Sequence, residues 1–428
     1  MIFCKKAGWG MALLFLCLIF GTGRTQKIEA AVQNVPESLE EESRLDTVGT
    51  DQETERAAVR EKKGQQEKEA GDTETDQAAA AQDELLAELD FDAIQQEVDS
   101  LLSSQQFSFA GTVRSLLQDG DPFRTFRAGN AVLSCAKTAF LAQKGLMKEL
   151  FLLVLAGAVL GSFSSLFEGK QVRDASFYMV YLLALALILK NFQSSGENLK
   201  AVITSLIAFM RILTPSYYLA AAAAGGASSA VMFYQMLLLV ILAVEKLLLA
   251  LVLPMIHIYL LIALVNDLSG EEILSHMTEL LETCVNGLLK SSLGVLVGMQ
   301  MIRNLIAPAL DSLRQMALWR TAGMIPGIGN AVNAVTELVA GSAVLIRNCF
   351  GVTAMLVLLA AGMVPAVQLL VSGLSFRLLA AAAQPVSDKR IAGCLAAAGK
   401  GYAMLLRLLL TVEVLFLLTI AILAGTFS

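Results

Sequence analysis

The 428-residue chain is 56% hydrophobic and only 16% charged, with a mean hydropathy of +0.63. Soluble domains run at roughly 45–50% apolar and about 25% charged, so the composition argues against an ordinary soluble enzyme and for an integral membrane protein. The formal charge of −6 divides into +2 for residues 1–23, −15 for residues 24–123 and +7 for residues 124–428. An acidic arm thus precedes a mildly basic apolar body, and the soluble part lacks the clustered Lys and Arg that a nucleic-acid partner demands.

In chain order, Lys5 and Lys6 precede the apolar run Trp9 to Phe20, and Gly21, Thr22 and Gly23 follow. A basic start, a short apolar core and small residues make residues 1–30 a signal peptide or signal anchor, which sends the next segment across the membrane. Residues 31–82 hold few large apolar residues and no aromatic, too little to offset the entropy of ordering them. They read as a disordered acidic tether. Within 83–145 the pattern changes: Leu85, Leu86, Leu89, Ile94, Val98, Leu101 and Leu102 recur at helical spacing among acidic residues. This predicts an amphipathic helical region outside the cytoplasm, packing on its own protein in preference to a partner.

Residues 146–428 read as a multi-span helical membrane domain. A bilayer core of about 30 Å needs around 20 apolar residues, and such windows are centred on 147–167, 176–192, 230–251, 250–266, 288–307, 349–374 and 404–427. A weaker one at 328–347 is interrupted by Glu337 and Arg347. The predicted fold is an all-α polytopic transmembrane helical bundle of about six to eight spans. The strand alternation of an outer-membrane barrel does not appear in the sequence. Residues 270–290 place Ile273, Leu274, Met277, Leu280, Leu281 and Leu288 on one stripe, as an interfacial helix would. The stretch Asp267 to Glu282 has no Lys or Arg and so favours the non-cytoplasmic side, whereas Arg377, Lys389, Arg390 and Lys400 favour the cytoplasm for the later loop. Pro215 and Pro254 are 39 residues apart, as are Pro326 and Pro365, a spacing that reflects either an internal repeat or coincidence.

The two histidines, His257 and His276, form no zinc-ligand or triad motif, and the six cysteines include no C-x-x-C pair. No catalytic residue, cofactor or metal site is expected. His257 is read as lying within a span, satisfied by a neighbouring helix, and the cysteines of apolar stretches as small buried hydrophobes. Pro326, Gly327 and Gly329 in MIPGIGN lack the third glycine and preceding strand of a dinucleotide loop. They predict a helix end, a tight turn and a new helix capped by Asn330. With no P-loop either, any nucleotide energy must come from another subunit. Gly157 with Gly161, and Gly294 with Gly298, are small-xxx-small spacings that let helices approach closely.

Charges inside the apolar windows are the sharper candidates, since one at mid-bilayer costs about 2.5–3.5 kcal/mol even on insertion scales. Glu245, Lys246, Glu337, Arg347 and Glu413, with His257, are the intramembrane polar positions. They either line a polar path or pair between helices. Adjacent Glu245 and Lys246 point about 100° apart, so at least one must find its partner elsewhere.

Three stretches carry a family resemblance: LPMIHIYLLIALVNDLSGEEILSHMTELL from Leu253, GMIPGIGNAVNAVTELVAGSAVLIRNCFGV from Gly323, and LLAAAAQPVSDKRIAGCL from Leu378. Together they resemble the stage III sporulation protein AE family of endospore-forming bacteria, over about Phe107 to the C-terminus. The resemblance implies a multi-pass protein of the mother-cell-derived outer forespore membrane, part of the channel complex that links mother cell and forespore and supports forespore integrity and late forespore gene expression. Implied partners are the bilayer, other proteins of the stage III sporulation A operon, including a secretion-type ATPase and ring-forming subunits, and stage II sporulation protein Q. The resemblance carries no catalytic residues. A different class of reading is an independent secondary transporter with a midplane site.

Overall fold

The structure, a computed structural model, describes residues 90–102, 107–119, 128–164, 170–223, 228–269, 274–322, 329–385 and 387–425. The chain divides into two units between Leu86 and Ala87, and every described residue belongs to the second. The signal segment, the tether and Leu85, Leu86 and Leu89 lie outside the described residues.

The described residues form helices α1 (Phe91–Leu101), α2 (Phe109–Asp119), α3 (Ala128–Ser164), α4 (Lys170–Ala223), α5 (Ser228–Leu247), α6 (Leu253–Ser269), α7 (Ser275–Ala322), α8 (Gly329–Ala383) and α9 (Lys389–Gly425). A π-helical turn, Leu248–Val252, joins α5 to α6. Its cause is local. Pro254 has no amide hydrogen and its ring crowds the carbonyl four residues earlier, so the backbone widens just upstream, and Leu253 donates to the Leu248 carbonyl in the five-residue pattern.

α1 begins where the Asp90 side chain accepts from the Ala93 amide at 3.1 Å, and it buries Ile94, Val98 and Leu102 on one side. It packs on α4 and α2. Gln95 locks the α1–α2 corner: its Nε2 donates to the Phe107 carbonyl at 2.7 Å and its Oε1 accepts from the Phe109 amide at 2.8 Å. Phe91, Phe109 and Phe350 then meet with ring centroids 5.0 to 6.3 Å apart, and Tyr217 stands 6.2 Å from Phe350. That aromatic cluster fixes the two short helices to the C-terminal part of α4 and the N-terminal half of α8.

Five described segments are long and apolar enough to cross a membrane: Tyr178–Tyr217, Leu238–Ser269, Ser275–Met299, Gly341–Ala383 and Lys389–Ala421. The windows 230–251 and 250–266 therefore fall on one rod, because the helix continues through the π turn. α4 has 54 residues and α8 has 55. Each is about 80 Å long at 1.5 Å per residue, far beyond the roughly 30 Å hydrocarbon layer. α3 runs unbroken across the expected domain boundary at 145/146.

α8 and α9 make the most extensive pairing in the bundle, and α9 also packs on α4, α6 and α7. α9 is the inner helix: 67% of its apolar 18-residue window is buried, against 22% for the window within Ser275–Met299.

Three expectations are corrected here. The stretch 270–290 is no separate interfacial helix, because the described part from Ser275 onward opens the 48-residue α7. Its buried side is Val285, Leu289, Ser292 and Leu296, while Met277 and Leu280 are exposed. Polar links to α9 orient it: Lys400 lies 3.8 Å from Glu282, and Arg407 donates to Asn286 at 3.0 Å. The acidic and basic loops also do not lie on opposite sides, since Arg390 donates to the Leu268 carbonyl at 3.5 Å and Asp267 lies against Gly393. The two meet at one end of the bundle. Finally, Asn330 lies inside α8, which starts at Gly329.

Candidate functional site

A polar cluster lies where α4, α6, α8 and α9 cross. Asn191 and Ser195 sit one turn apart on α4, and both face Tyr402 of α9. The Asn191 Nδ2 donates to the Tyr402 hydroxyl at 2.6 Å, and the Ser195 and Tyr402 hydroxyls are 3.2 Å apart. Phe192, between them, makes edge contacts with Tyr402 at 5.2 Å and with His257 of α6 at 5.3 Å. Phe376 of α8 stacks on the other side of Tyr402 at 5.3 Å and 16°.

Small residues make the crossing close enough. A Cβ at Gly196 would lie 2.5 Å from the Cε1 and Nε2 of His257. On the α8–α9 contact, a Cβ at Gly399 would meet the Gly373 carbonyl at 3.3 Å and Arg377 Cγ at 2.8 Å. The His257 Nδ1 pairs with the Leu253 carbonyl of its own helix at 2.9 Å, while its Cε1 and Nε2 lie against Gly196 of α4. Proline at 254 leaves the helix intact below it, so this i to i−4 link can form.

Glu245 is fully buried on α5, and neither carboxylate oxygen has a hydrogen-bond partner among the described residues. Lys246 is exposed, as the 100° step between neighbours requires. Glu413 is 3% exposed on α9, with Oε1 lacking a partner among the described residues. It occupies the space that a side chain at Gly362 of α8 would fill. Arg347 is buried in α8. Among the described residues no hydrogen bond joins Glu245, Glu413 and His257.

The remaining sequence candidates scatter. Gly157 lies against Val180 and Ile391, and a Cβ there would be 3.0 Å from Val180 Cγ1. Gly294 and Gly298 face open space, so their spacing marks no helix contact among the described residues. Pro326 and Gly327 lie outside the described residues; Gly329 opens α8; and the side-chain surroundings of Gly161 and Glu337 are likewise not described. Cys394 is buried and Cys349 half-buried, but Cys284 is exposed, against the expectation for a buried small hydrophobe. Among the described residues no three His, Cys, Asp or Glu converge as metal ligands would.

Sequence reading missed Asn191, Ser195 and Tyr402. A signal was present: two small polar residues four apart, flanking Phe192 and Gly196 on a single face, are unusual in an apolar helix. It became legible only with Tyr402, more than 200 residues away in sequence, in place.

The stage III sporulation protein AE family model matches residues 107–426. The chain is 22% identical over 291 residues to stage III sporulation protein AE of Bacillus subtilis (strain 168), covering 67% of this chain and 73% of that protein. No solved structure matches. The family and the helical bundle are those of a sporulation-associated membrane protein. With a family match that takes in nearly all of the described helical body, the chain belongs to the stage III sporulation protein AE family.

Proposed function

We propose that the chain is a membrane subunit of the transenvelope channel complex linking mother cell and forespore, supporting forespore integrity and late forespore gene expression. It acts in the outer forespore membrane, exported at residues 1–30 and tethered through 31–82, with 83–145 outside the cytoplasm. The observation that carries this reading is the family match from 107 to 426, which coincides with the helical bundle. The partners are a secretion-type ATPase, ring-forming subunits and stage II sporulation protein Q. The rigid α8–α9 pair, held by the Tyr402 crossing, suits a platform on which such subunits assemble.

Two measurements test it. Affinity purification of the tagged full chain from sporulating cells should bring down the ATPase and ring subunits, and deletion should abolish heat-resistant spores. Recovery of the chain alone, with normal spore yield in the deletion strain, would overturn it.

A second reading is an independent secondary transporter. It draws on Glu245 and Glu413, buried carboxylates with oxygens unpartnered among the described residues, of the kind that mark coupling sites in spans. Transport by the purified chain alone in liposomes, lost in Glu245→Gln and Glu413→Gln, would favour it.

A further inference from the structure

The exposed sides of α4 and of the α5–α6 rod differ sharply at the same height in the bundle. From Leu247 to Val265, every exposed residue of the rod is apolar: Leu247, Ala250, Leu251, Pro254, Ile258, Leu261 and Val265. From Lys190 to Thr204, every exposed residue of α4 except Ala201 is polar, including Lys190, Gln193, Ser194, Glu197 and Lys200. The opposite side of α4 is an ordinary apolar interior, with Phe192, Leu199 and Ile203 buried.

Internal contacts fix the relative height. The Tyr181 hydroxyl donates to the Leu264 carbonyl at 2.5 Å, and Phe192 meets His257 at 5.3 Å, so α4 and α6 run antiparallel in a defined register. His257 lies within about one helical turn of the middle of Leu238–Ser269. Gln193, Ser194 and Glu197 follow Phe192 within about a turn and a half, so the polar side of α4 passes the centre of the most apolar rod. If that rod meets acyl chains, the polar side of α4 at the same depth cannot do so. Hydrocarbon offers no partner for two ammonium groups, a carboxylate and several amides and hydroxyls.

At this depth the exposed side of the α5–α6 rod is thus apolar and the exposed side of α4 polar. We propose that the Lys190–Thr204 side of α4 lines an aqueous passage through the membrane, while the α5–α6 side meets lipid. The lining holds two cations and one carboxylate among neutral groups, spaced three and four residues apart over about 21 Å. It suits small hydrated solutes with no strong preference for either sign of charge. The inference rests on the channel-subunit reading only for the membrane embedding of the bundle.

The test places single cysteines in the full chain, in a background without the native cysteines, at Gln193, Glu197 and Thr204 and at Leu251, Ile258 and Leu261. Sealed membranes from sporulating cells are treated with a charged, membrane-impermeant thiol reagent. The α4 set should react at least about tenfold faster than the rod set, since only it is in contact with water. Equal rates overturn the proposal, whether both are fast, which places this layer outside the bilayer, or both slow, which means lipid or another protein seals α4. Variants are compared only where protein level and spore yield match the parent, and Ser194 or Asn198 replaces any α4 position that fails this. Co-purification of the ATPase and ring subunits is scored in the same strains. Loss of the rate difference with partners retained sinks this inference alone, whereas loss of partners with the difference retained sinks the channel-complex reading alone.

Discussion

α9 and the first half of α7 are both apolar enough to cross a membrane, yet 67% of an apolar 18-residue window of α9 is buried within the protein and only 22% of the corresponding window of α7 is. The difference lies in what their glycines meet. Gly399 and Gly401 of α9 bring its backbone against α8 and α4, whereas Gly287, Gly294 and Gly298 of α7 face open space. Hydropathy measures transfer out of water, and an acyl chain and a packed leucine satisfy it equally well. Apolarity alone does not decide which helix is inner, since the Leu238–Ser269 rod is more apolar than α9 and yet less buried.

The sharpest way to break this comparison is to fill an inner glycine. Gly399→Leu forces a side chain into the Gly373 carbonyl and Arg377, and should cost about 3 kcal/mol or more, read as a fall in unfolding midpoint in detergent and loss of accumulated protein. Gly196→Ala should cost about 1–3 kcal/mol by overlapping His257, and the double variant with His257→Ala should recover part of that loss, because both changes act on one space. Equal costs with and without His257 would break the assigned contact.

Glu245→Leu sharpens the comparison from another side. It removes a buried carboxylate whose oxygens lack partners among the described residues, so stability should rise by about 1–3 kcal/mol in the same unfolding assay. On the outer helix, Gly287→Ala should stabilise by about 0.5–1 kcal/mol through helix propensity alone, since nothing lies within 4 Å of the added methyl. The smallest effect belongs to Glu282→Gln. Its pair with Lys400 is 3.8 Å long and the lysine side chain is 61% exposed, so the change should stay below about 0.5 kcal/mol and shrink further in high salt.

Much of the fold was legible in the sequence. The stripe Ile94, Val98 and Leu102 does bury itself against its own chain, and one proline does mark a backbone event, although not a repeat boundary: Pro215 and Pro365 lie inside long helices and Pro254 follows the π turn, the one of the three that adjoins a change of helix type. The loop placement was misread because a rule based on Lys and Arg counts treats each loop alone, while Asp267 and Arg390 belong to one end of the bundle. The Tyr402 crossing was invisible for a related reason. Its four helices bring together residues 191, 257, 376 and 402, and no local periodicity encodes which of them meet.

The sequence by itself determined that this chain is an all-helical membrane protein of the stage III sporulation protein AE family, because apolar run length and long shared segments are properties of the chain read in order. Only the tertiary structure decided that α9 is the inner helix, that Glu245 is buried without a described partner, and that α4 turns a polar side outward beside an apolar rod. Those outcomes depend on which of two similar surfaces finds the closer fit, a property of helix pairs that no single helix carries.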